Sequence, residues 1–183
     1  MVEKHHEIEL ASGSGWALPL LSEAHMDADA IAAIVAACGK RLGDTGVIGA
    51  LSYLNARTRY RFTGLYHAQP PLLRNVQLFD RENPTLNVSG EVKPIHETYC
   101  GIVRDTNRAL LITNALADVS VKAHPARESV LSYCGVPIRT EDGLPCGTLC
   151  HFDPRPRLLS RSESLILAAA APLFMGWLTA QAA

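Results

Sequence analysis

The stretch 132–157 constrains the fold more than any other part of the sequence. It contains two short apolar runs, 133–138 and 146–152, on either side of Thr-Glu-Asp-Gly-Leu at 140–144. An Asp-Gly pair between two such runs is a strong hairpin signal, because glycine readily adopts the positive φ that tight turns need. We therefore predict an antiparallel β-hairpin here, and three of the five cysteines of the chain lie inside it.

A first helix is predicted at 27–42, where apolar residues recur three and four positions apart. Acidic residues stand at its start and basic residues near its end, as the helix dipole favours. Gly39 and Gly43 mark the predicted end of this helix.

A second helix is predicted at 160–180. Ser160 and Glu163 form a capping box, in which the serine hydroxyl accepts a backbone hydrogen bond and the glutamate reaches back to the cap. The residues that follow are apolar on nearly every side, so the helix needs cover all round. Pro172 is expected to bend this helix or to end its regular part.

The middle of the chain is predicted to be mostly extended. Runs 47–54 and 58–66 are rich in β-branched and aromatic residues and are predicted as a strand pair. The run 72–78 fits a short helix or a further strand, and 109–113 fits a strand. Residues 94–103 fit a short helix with a proline in its first turn. One side of that helix would carry His96, Tyr99, Cys100 and Val103.

Length and charge narrow the class of protein. A chain of 183 residues suits one domain, which we place at 25–183 behind a mobile tail at 1–24. The net charge is −1 and the basic residues are scattered, so no patch suited to nucleic acid is expected. No segment has the layout of a signal peptide, and the longest apolar run is too short to span a bilayer. We therefore expect a cytoplasmic protein that binds neither nucleic acid nor membrane.

Several short motifs, taken together and in order, resemble those of the GAF family of small-molecule sensor domains. They are Glu-Thr-Tyr-Cys at 97–100, Leu-Leu-Ile-Thr-Asn-Ala at 110–115 with Asp118 after it, Tyr-Cys-Gly-Val-Pro at 133–137, Gly-Thr-Leu-Cys at 147–150 and the Phe-Asp-x-x-Pro-Arg pattern at 152–157. The resemblance covers roughly residues 92–175.

This resemblance implies an α+β fold, with a GAF/PAS-like antiparallel sheet of about six strands and helices on both faces. It also implies a ligand cavity between the sheet and the segment 94–130. The candidate ligand-binding residues are Phe62, His96, Tyr99, Cys100, Asp118, Tyr133 and Cys134. The sequence identifies neither the small molecule nor a cofactor.

The five cysteines are odd in number and lack a paired spacing, which favours free thiols over structural disulfides. The candidate redox residues are Cys100, Cys134 and Cys150. A three-residue turn at 141–143 would pair Cys134 with Cys150 across the hairpin, whereas a two-residue turn would pair it with His151. Buried thiols that act only as small apolar side chains are the alternative.

Two further sites are weighed from spacing. Cys150 and His151 are neighbours on a strand and point to opposite faces, so no metal site is expected there. His96 and Cys100 are four residues apart and would form a Cys–His pair on one helix, which makes Cys100 the cysteine expected to react most readily.

Three functions remain open. The first is a stand-alone regulatory protein that binds a small molecule and signals through a homodimer or a partner. The second is a thiol-based enzyme or redox switch similar to free methionine sulfoxide reductases, which share the GAF fold but carry Cys-Asp and Ser-Glu-Ile where this chain has Ser-Tyr-Cys-Gly. The third is a dimerisation module without a ligand. The homodimer is expected to use the helices at 27–42 and 160–180, whose apolar surface exceeds what one sheet covers.

Overall fold

Six strands form one antiparallel sheet in the computed structural model, which describes residues 27–158 and 160–179. The strands are β1 (Phe62–Gln69), β2 (Leu72–Asp80), β3 (Val92–Pro94), β4 (Leu110–Ile112), β5 (Ser132–Arg139) and β6 (Pro145–Asp153). Their order across the sheet is β3-β2-β1-β6-β5-β4. The predicted tail at 1–24 lies outside the described residues.

Helices cover both faces of this sheet. They are α1 (Ala28–Ala56), α2 (Tyr99–Thr106), α3 (Arg161–Ala170) and α4 (Met175–Thr179). One face, which we call the α1 face, packs against α1, α3 and α4 around Leu51, Leu149 and Phe174. The opposite face, which we call the α2 face, packs against α2 around Val103 and Tyr133. The predicted α+β architecture, with about six antiparallel strands and helices on both faces, is confirmed.

Helix α1 is longer than the sequence predicted. Its start is as expected, since the Asp27 carboxylate accepts a hydrogen bond from the Ala30 backbone N–H at 2.7 Å. The helix then passes through Gly39 and Gly43 and continues to Ala56, with one non-helical residue at Gly46. The predicted strand at 47–54 is therefore wrong.

Helical spacing explains this correction. The buried residues Val47, Ala50, Leu51 and Leu54 recur three and four positions apart. The same run contains β-branched and aromatic residues that also suit a strand. Gly39 lies inside the helix and faces Leu173, and a Cβ there would lie 3.8 Å from that side chain, an ordinary contact distance.

The predicted strand at 58–66 exists but is shifted, since β1 begins at Phe62 and runs to Gln69. The run 72–78, for which a helix or a strand was open, lies in β2. Pro70 and Pro71 connect the two strands, which pair as an antiparallel hairpin.

The predicted helix at 94–103 is split in two. A 3-10 turn at Ile95–Glu97 comes first, and α2 begins at Tyr99. Thr98, between them, has an extended backbone with φ −124° and ψ 149°. The side chains before and after Thr98 therefore do not share one helical face.

The register of the β5–β6 hairpin pairs Cys134 with His151 and Gly135 with Cys150. The turn itself has the predicted three-residue form, since Thr140 N–H donates to the Leu144 carbonyl and Gly143 has φ 79°. However, the register shifts between Ile138 and Arg139, where one extra residue is accommodated in β6. The predicted pairing of Cys134 with Cys150 is therefore wrong. Cys134 pairs with His151, and the cause is the extra residue in β6 instead of the two-residue turn that was expected to give this pairing.

The C-terminal helix begins as predicted, because the Ser160 hydroxyl accepts from the Glu163 N–H at 3.2 Å. The Glu163 carboxylate lies 3.7 Å from Arg57. Pro172 falls in the 3-10 turn Ala171–Phe174 that separates α3 from α4. Within the described ranges, no helix combines the length and the apolar character needed to cross a membrane.

Candidate functional site

A cavity of about 230 Å³ lies on the α2 face of the sheet. Residues of strands β1, β2, β5 and β6, of α2 and of the segment 126–130 line it. Pockets that hold drug-sized ligands usually measure about 300 to 1,000 Å³. The space therefore suits a molecule smaller than a typical drug.

Aromatic rings form much of the cavity wall. The rings that line it are Phe62, Tyr66, Tyr99, Tyr133 and Phe152. Phe62 and Phe152 stack across β1 and β6 with ring centroids 4.8 Å apart. Tyr99 packs against Tyr133 at 5.5 Å, with a tilt of 59° between the rings. Such paired rings offer flat faces to a planar apolar ligand.

The cavity lining includes four exposed polar residues. Glu91, Lys93, Glu97 and Ser129 are exposed residues that line it, so they mark its mouth. Lys93 lies 3.2 Å from Glu91, and both side chains are more than half exposed. The mouth therefore presents both signs of charge, while the interior is mainly apolar.

The structure brings several of the predicted site residues together. The cavity is lined by Phe62, Tyr99, Cys100 and Tyr133 from the predicted ligand-binding set, and by Cys150 from the predicted redox set. They come from β1, α2, β5 and β6, which are far apart in the sequence.

His96 does not belong to this group. It is exposed in the 3-10 turn Ile95–Glu97, on the other side of the extended residue Thr98 from Cys100. The two side chains are therefore not one turn apart on a single helix, and the predicted Cys–His pair is wrong.

Asp118 and Cys134 are also outside the cavity. The Asp118 carboxylate accepts from the Ser120 backbone N–H at 2.9 Å and caps the 3-10 turn Val119–Val121. Cys134 lies in the core of the α1 face, because it follows Tyr133 on β5 and neighbours on a strand point to opposite faces.

Two thiols line the cavity where α2 packs on β6, a part of its wall that we call the cavity floor. Cys100, in the first turn of α2, has its Sγ 3.3 Å from the Tyr133 hydroxyl. The Cys150 thiol, in β6, donates to the Gly64 carbonyl oxygen, which lies 3.8 Å from its sulfur. Both line the cavity, although little of either side chain is exposed.

The family model described as GAF domain matches residues 28–174. This chain belongs to the GAF domain family. No curated protein matches the sequence.

Solved structures of several other proteins share the fold. The GAF domain of an Acinetobacter phosphoenolpyruvate-protein phosphotransferase superposes with a TM-score of 0.66 at 13% identity, over 82% of this chain and 93% of that one. The free methionine-R-sulfoxide reductase of Neisseria meningitidis, solved in complex with its substrate, gives a TM-score of 0.63 at 15% identity, over 85% and 93%. The nlh2 GAF domain of A. aeolicus gives 0.56 at 15%, over 82% and 96%. At these identities the likeness shows a common fold.

The two thiols at the cavity floor of this GAF domain differ in acidity. The neighbouring Cys150 thiol and Tyr133 hydroxyl lower the pKa of Cys100, against the opposing effect of burial. Burial raises the pKa of Cys150 well above its ordinary value. Cys100 is therefore the thiol of this pair that more readily becomes a thiolate.

The other cysteines of the GAF domain sit in different surroundings. Burial raises the pKa of Cys134 to about 12 and that of Cys38 to about 11. Cys146 is half-buried and packs beside the core of the α1 face, and burial raises its pKa as well. In the described ranges, no three His, Cys, Asp or Glu residues are grouped so as to hold a metal ion.

Sequence reasoning missed part of the cavity. Tyr66 follows from the alternation of β1, which places it on the same face as Phe62. Asn75, which is buried at the cavity, and Ser129, at its mouth, come from segments whose secondary structure was open or vague. No local signal marks them, because their placement depends on how β2 and the segment 126–130 pack on the sheet.

Proposed function

We propose that this GAF domain binds a small, largely apolar molecule in its cavity and transmits the bound state through a homodimer or a partner protein. The observation that carries this proposal is the cavity, where five aromatic rings surround a space with a charged mouth. Membership of the GAF family supports a small-molecule-binding regulatory domain. The cytoplasmic location and the lack of a nucleic-acid partner remain predictions from the sequence.

The lining defines the class of ligand. The stacked Phe62 and Phe152 rings and the tilted Tyr99 and Tyr133 rings favour a flat apolar body. The charged residues at the mouth favour a polar end that stays near solvent. A monocyclic or bicyclic aromatic compound with one polar group meets both requirements.

We assign transmission of the bound state to the helices of the domain. Leu165 in α3 and Trp177 in α4 are 46% and 42% exposed, which is unusual for large apolar side chains close to a core. They belong to the second of the two segments, 27–42 and 160–180, that the sequence predicts to form a homodimer. Association of these helices is the route by which a change in the sheet would reach another subunit.

Native mass spectrometry and a binding titration test this function. Protein purified without additives is first examined by native mass spectrometry for a bound compound. Indole, a flat bicyclic compound with one N–H, is then titrated and followed by NMR. Ser129→Trp places a large ring at the cavity mouth and is expected to weaken indole binding about tenfold or more.

The matched control is Glu128→Trp, because Glu128 is the exposed neighbour of Ser129 and does not line the cavity. It is expected to leave indole affinity unchanged. Equal effects of the two substitutions, or no binding of indole and no bound compound, would favour the dimerisation module without a ligand.

A second candidate function rests on one observation, the Cys100 thiol inside the cavity. A thiol placed there could reduce a bound sulfoxide, and one solved protein of similar fold is a free methionine-R-sulfoxide reductase. Consumption of free methionine sulfoxide with dithiothreitol as reductant tests it. Loss of turnover in Cys100→Ser, with retention in Cys134→Ser, would support the enzyme, and absence of turnover in the native protein would exclude this substrate.

A further inference from the structure

We propose that Cys100 and Cys150 form a reversible disulfide across the cavity floor when the protein meets a peroxide, with Cys100 as the thiol that is oxidised first. This inference rests on the geometry of the cavity floor and does not require that the cavity binds a ligand.

Cys100 and Cys150 lie where α2 packs on β6. Cys100 is in the first turn of α2 and Cys150 in the middle of β6, so a bond between them would join two elements that only pack together. Both thiols belong to the same buried cluster and line the same cavity. The Tyr133 hydroxyl contacts the Cys100 sulfur from a third element, β5, at 3.3 Å.

The cavity gives a small oxidant access to this pair. Cys100 is 4% exposed and Cys150 is fully buried, so neither thiol lies at the outer surface. Both line the cavity, however, and its mouth is formed by exposed residues. Hydrogen peroxide is only slightly larger than water, so a space of about 230 Å³ admits it. Larger oxidants must pass the aromatic walls.

The surroundings of the two thiols assign their roles. The first turn of a helix presents unpaired backbone N–H groups and the positive end of the helix dipole, which favour a thiolate at Cys100. The Tyr133 hydroxyl can donate a hydrogen bond to that thiolate. Cys150 lies in a strand instead of at a helix start, and its thiol donates to the Gly64 carbonyl oxygen, a contact that favours the protonated form. Cys100 is therefore the thiol that attacks the peroxide, and Cys150 is the resolving thiol that attacks the oxidised Cys100.

The chemistry balances with one peroxide per pair. The Cys100 thiolate attacks one peroxide oxygen, the O–O bond breaks, and hydroxide leaves and takes up the proton that Cys100 had released. The sulfur of Cys150 then attacks the sulfur of the Cys100 sulfenic acid, the S–O bond breaks, and water leaves with the Cys150 proton. Two thiols lose two electrons, and one hydrogen peroxide becomes two waters.

The remaining described cysteines cannot replace either partner. Cys134 and Cys38 lie in the core of the α1 face, so the sheet separates them from Cys100. Cys146 is at the end of β6 near the turn and packs beside that same core. The pairing is thus specific, and it gives the cavity a covalent link between α2 and β6.

Mass spectrometry of the full-length protein tests the disulfide. After treatment with one equivalent of hydrogen peroxide, the native protein is expected to lose two hydrogen atoms, and a peptide map without reductant should show the Cys100 peptide joined to the Cys150 peptide. Dithiothreitol should restore the original mass. Cys134→Ala should behave like the native protein, whereas Cys150→Ala should instead gain oxygen at Cys100.

Three results would overturn the proposal. They are a disulfide that joins a different pair, oxygen added to Cys100 of the native protein without loss of hydrogen, and no oxidation of the folded protein under conditions that oxidise the urea-unfolded chain. The peptide map of the native protein decides the matter even if Cys150→Ala fails to fold.

Oxidation also has an expected effect on binding, and this part rests on the proposed function. The disulfide draws α2 towards β6 and narrows the cavity, so the oxidised protein should bind indole severalfold more weakly than the reduced protein. A disulfide in a protein that binds no indole and carries no bound compound would refute the proposed function alone. Indole binding without a disulfide would refute only this inference.

Discussion

His151 occupies the centre of a buried polar cluster beneath α1. Its Nδ1 lies 2.7 Å from the Thr63 hydroxyl, which accepts a hydrogen bond from the Asn55 amide at 2.8 Å. Asn55 is itself held by the Arg81 guanidinium at 2.9 Å. The histidine ring stacks on Tyr60, with ring centroids 5.8 Å apart. This cluster joins the end of α1 to β1 and β6.

The protonation of His151 should make stability depend on pH. Burial, with a smaller effect of the Arg81 charge, lowers the pKa of His151 to about 3. The unfolded chain takes up this proton near its ordinary pKa of about 6.5. Between the two values the unfolded state binds more protons, so the free energy of unfolding decreases as the pH falls.

We expect the free energy of unfolding to drop by about 2 kcal/mol for this residue between about pH 7 and pH 5, as measured by urea denaturation. The drop should become smaller in His151→Gln and persist in His96→Ala, since His96 is exposed. Burial also lowers the pKa of His67 and His124, so part of the decrease will remain in His151→Gln. An unchanged pH dependence in His151→Gln would contradict the assignment.

Individual site residues were predictable where local alternation decides their direction. Phe62 lies on the α2 face, as the alternation of β1 and the family resemblance together suggested. Cys134 was misplaced because it was grouped with Tyr133, its neighbour on β5, although neighbours on a strand point to opposite faces. His96 was misplaced because the extended Thr98 interrupts the helix.

At the scale of elements, the kink in α1 is the least regular feature of the fold. Gly46 has φ 69° and ψ −169°, a conformation essentially restricted to glycine, in the middle of a helix that is otherwise continuous from Ala28 to Ala56. The residues after the kink, including Val47 and Leu51, are buried against the sheet. The kink therefore separates a packed half of α1 from a more exposed half.

Two glycines in α1 should respond in opposite ways to alanine. Gly46→Ala should destabilise the protein by about 1–3 kcal/mol, because alanine adopts this conformation only with strain. Gly43→Ala should stabilise it by about 0.5–1 kcal/mol, since Gly43 is helical and a Cβ there meets no atom within 4 Å. Urea denaturation of both variants measures the difference. Equal effects would mean that the kink is absent in solution.

The same helix shows why element types were harder to predict than the fold class. The motifs at 97–157 pointed to the correct sheet, whereas the run 47–54 carries apolar residues at a spacing that suits a helix and residue types that suit a strand. Packing of α1 on the sheet decides between them. Gly39 and Gly43 added to the error in the predicted helix end, because the sequence alone does not distinguish a glycine inside a helix from one that ends it.

At the scale of the whole molecule, the helices on the α1 face leave apolar surface uncovered in the described chain. Trp177 is 42% exposed and Leu165 46% exposed, although the adjacent residues Leu178 and Ile166 are fully buried. The predicted homodimer would cover these side chains. The predicted homodimer is therefore tested by measuring the association state in solution.

Sedimentation velocity tests the homodimer. The native protein is expected to sediment as a dimer at micromolar concentration, and Trp177→Glu should shift it to the monomer because a charge in an apolar contact is costly. The control is Leu111→Glu, which changes a leucine that is 46% exposed on the edge strand β4. This control should remain a dimer. A native protein that is already monomeric would refute the proposal.

Side chains alternate along β6, so this strand contacts both the proposed ligand cavity and the layer of helices proposed to form the homodimer. The sheet is therefore the shortest physical connection between the two. Cys150 touches the cavity, and its neighbour Leu149 is buried in the core beneath the helices of the α1 face. Close-packed cores resist compression, so a displacement of this strand is passed on instead of absorbed. A compound that enters the cavity and displaces β6 would therefore also displace the helices packed on the α1 face. One strand suffices for this coupling, and no hinge or moving loop is needed.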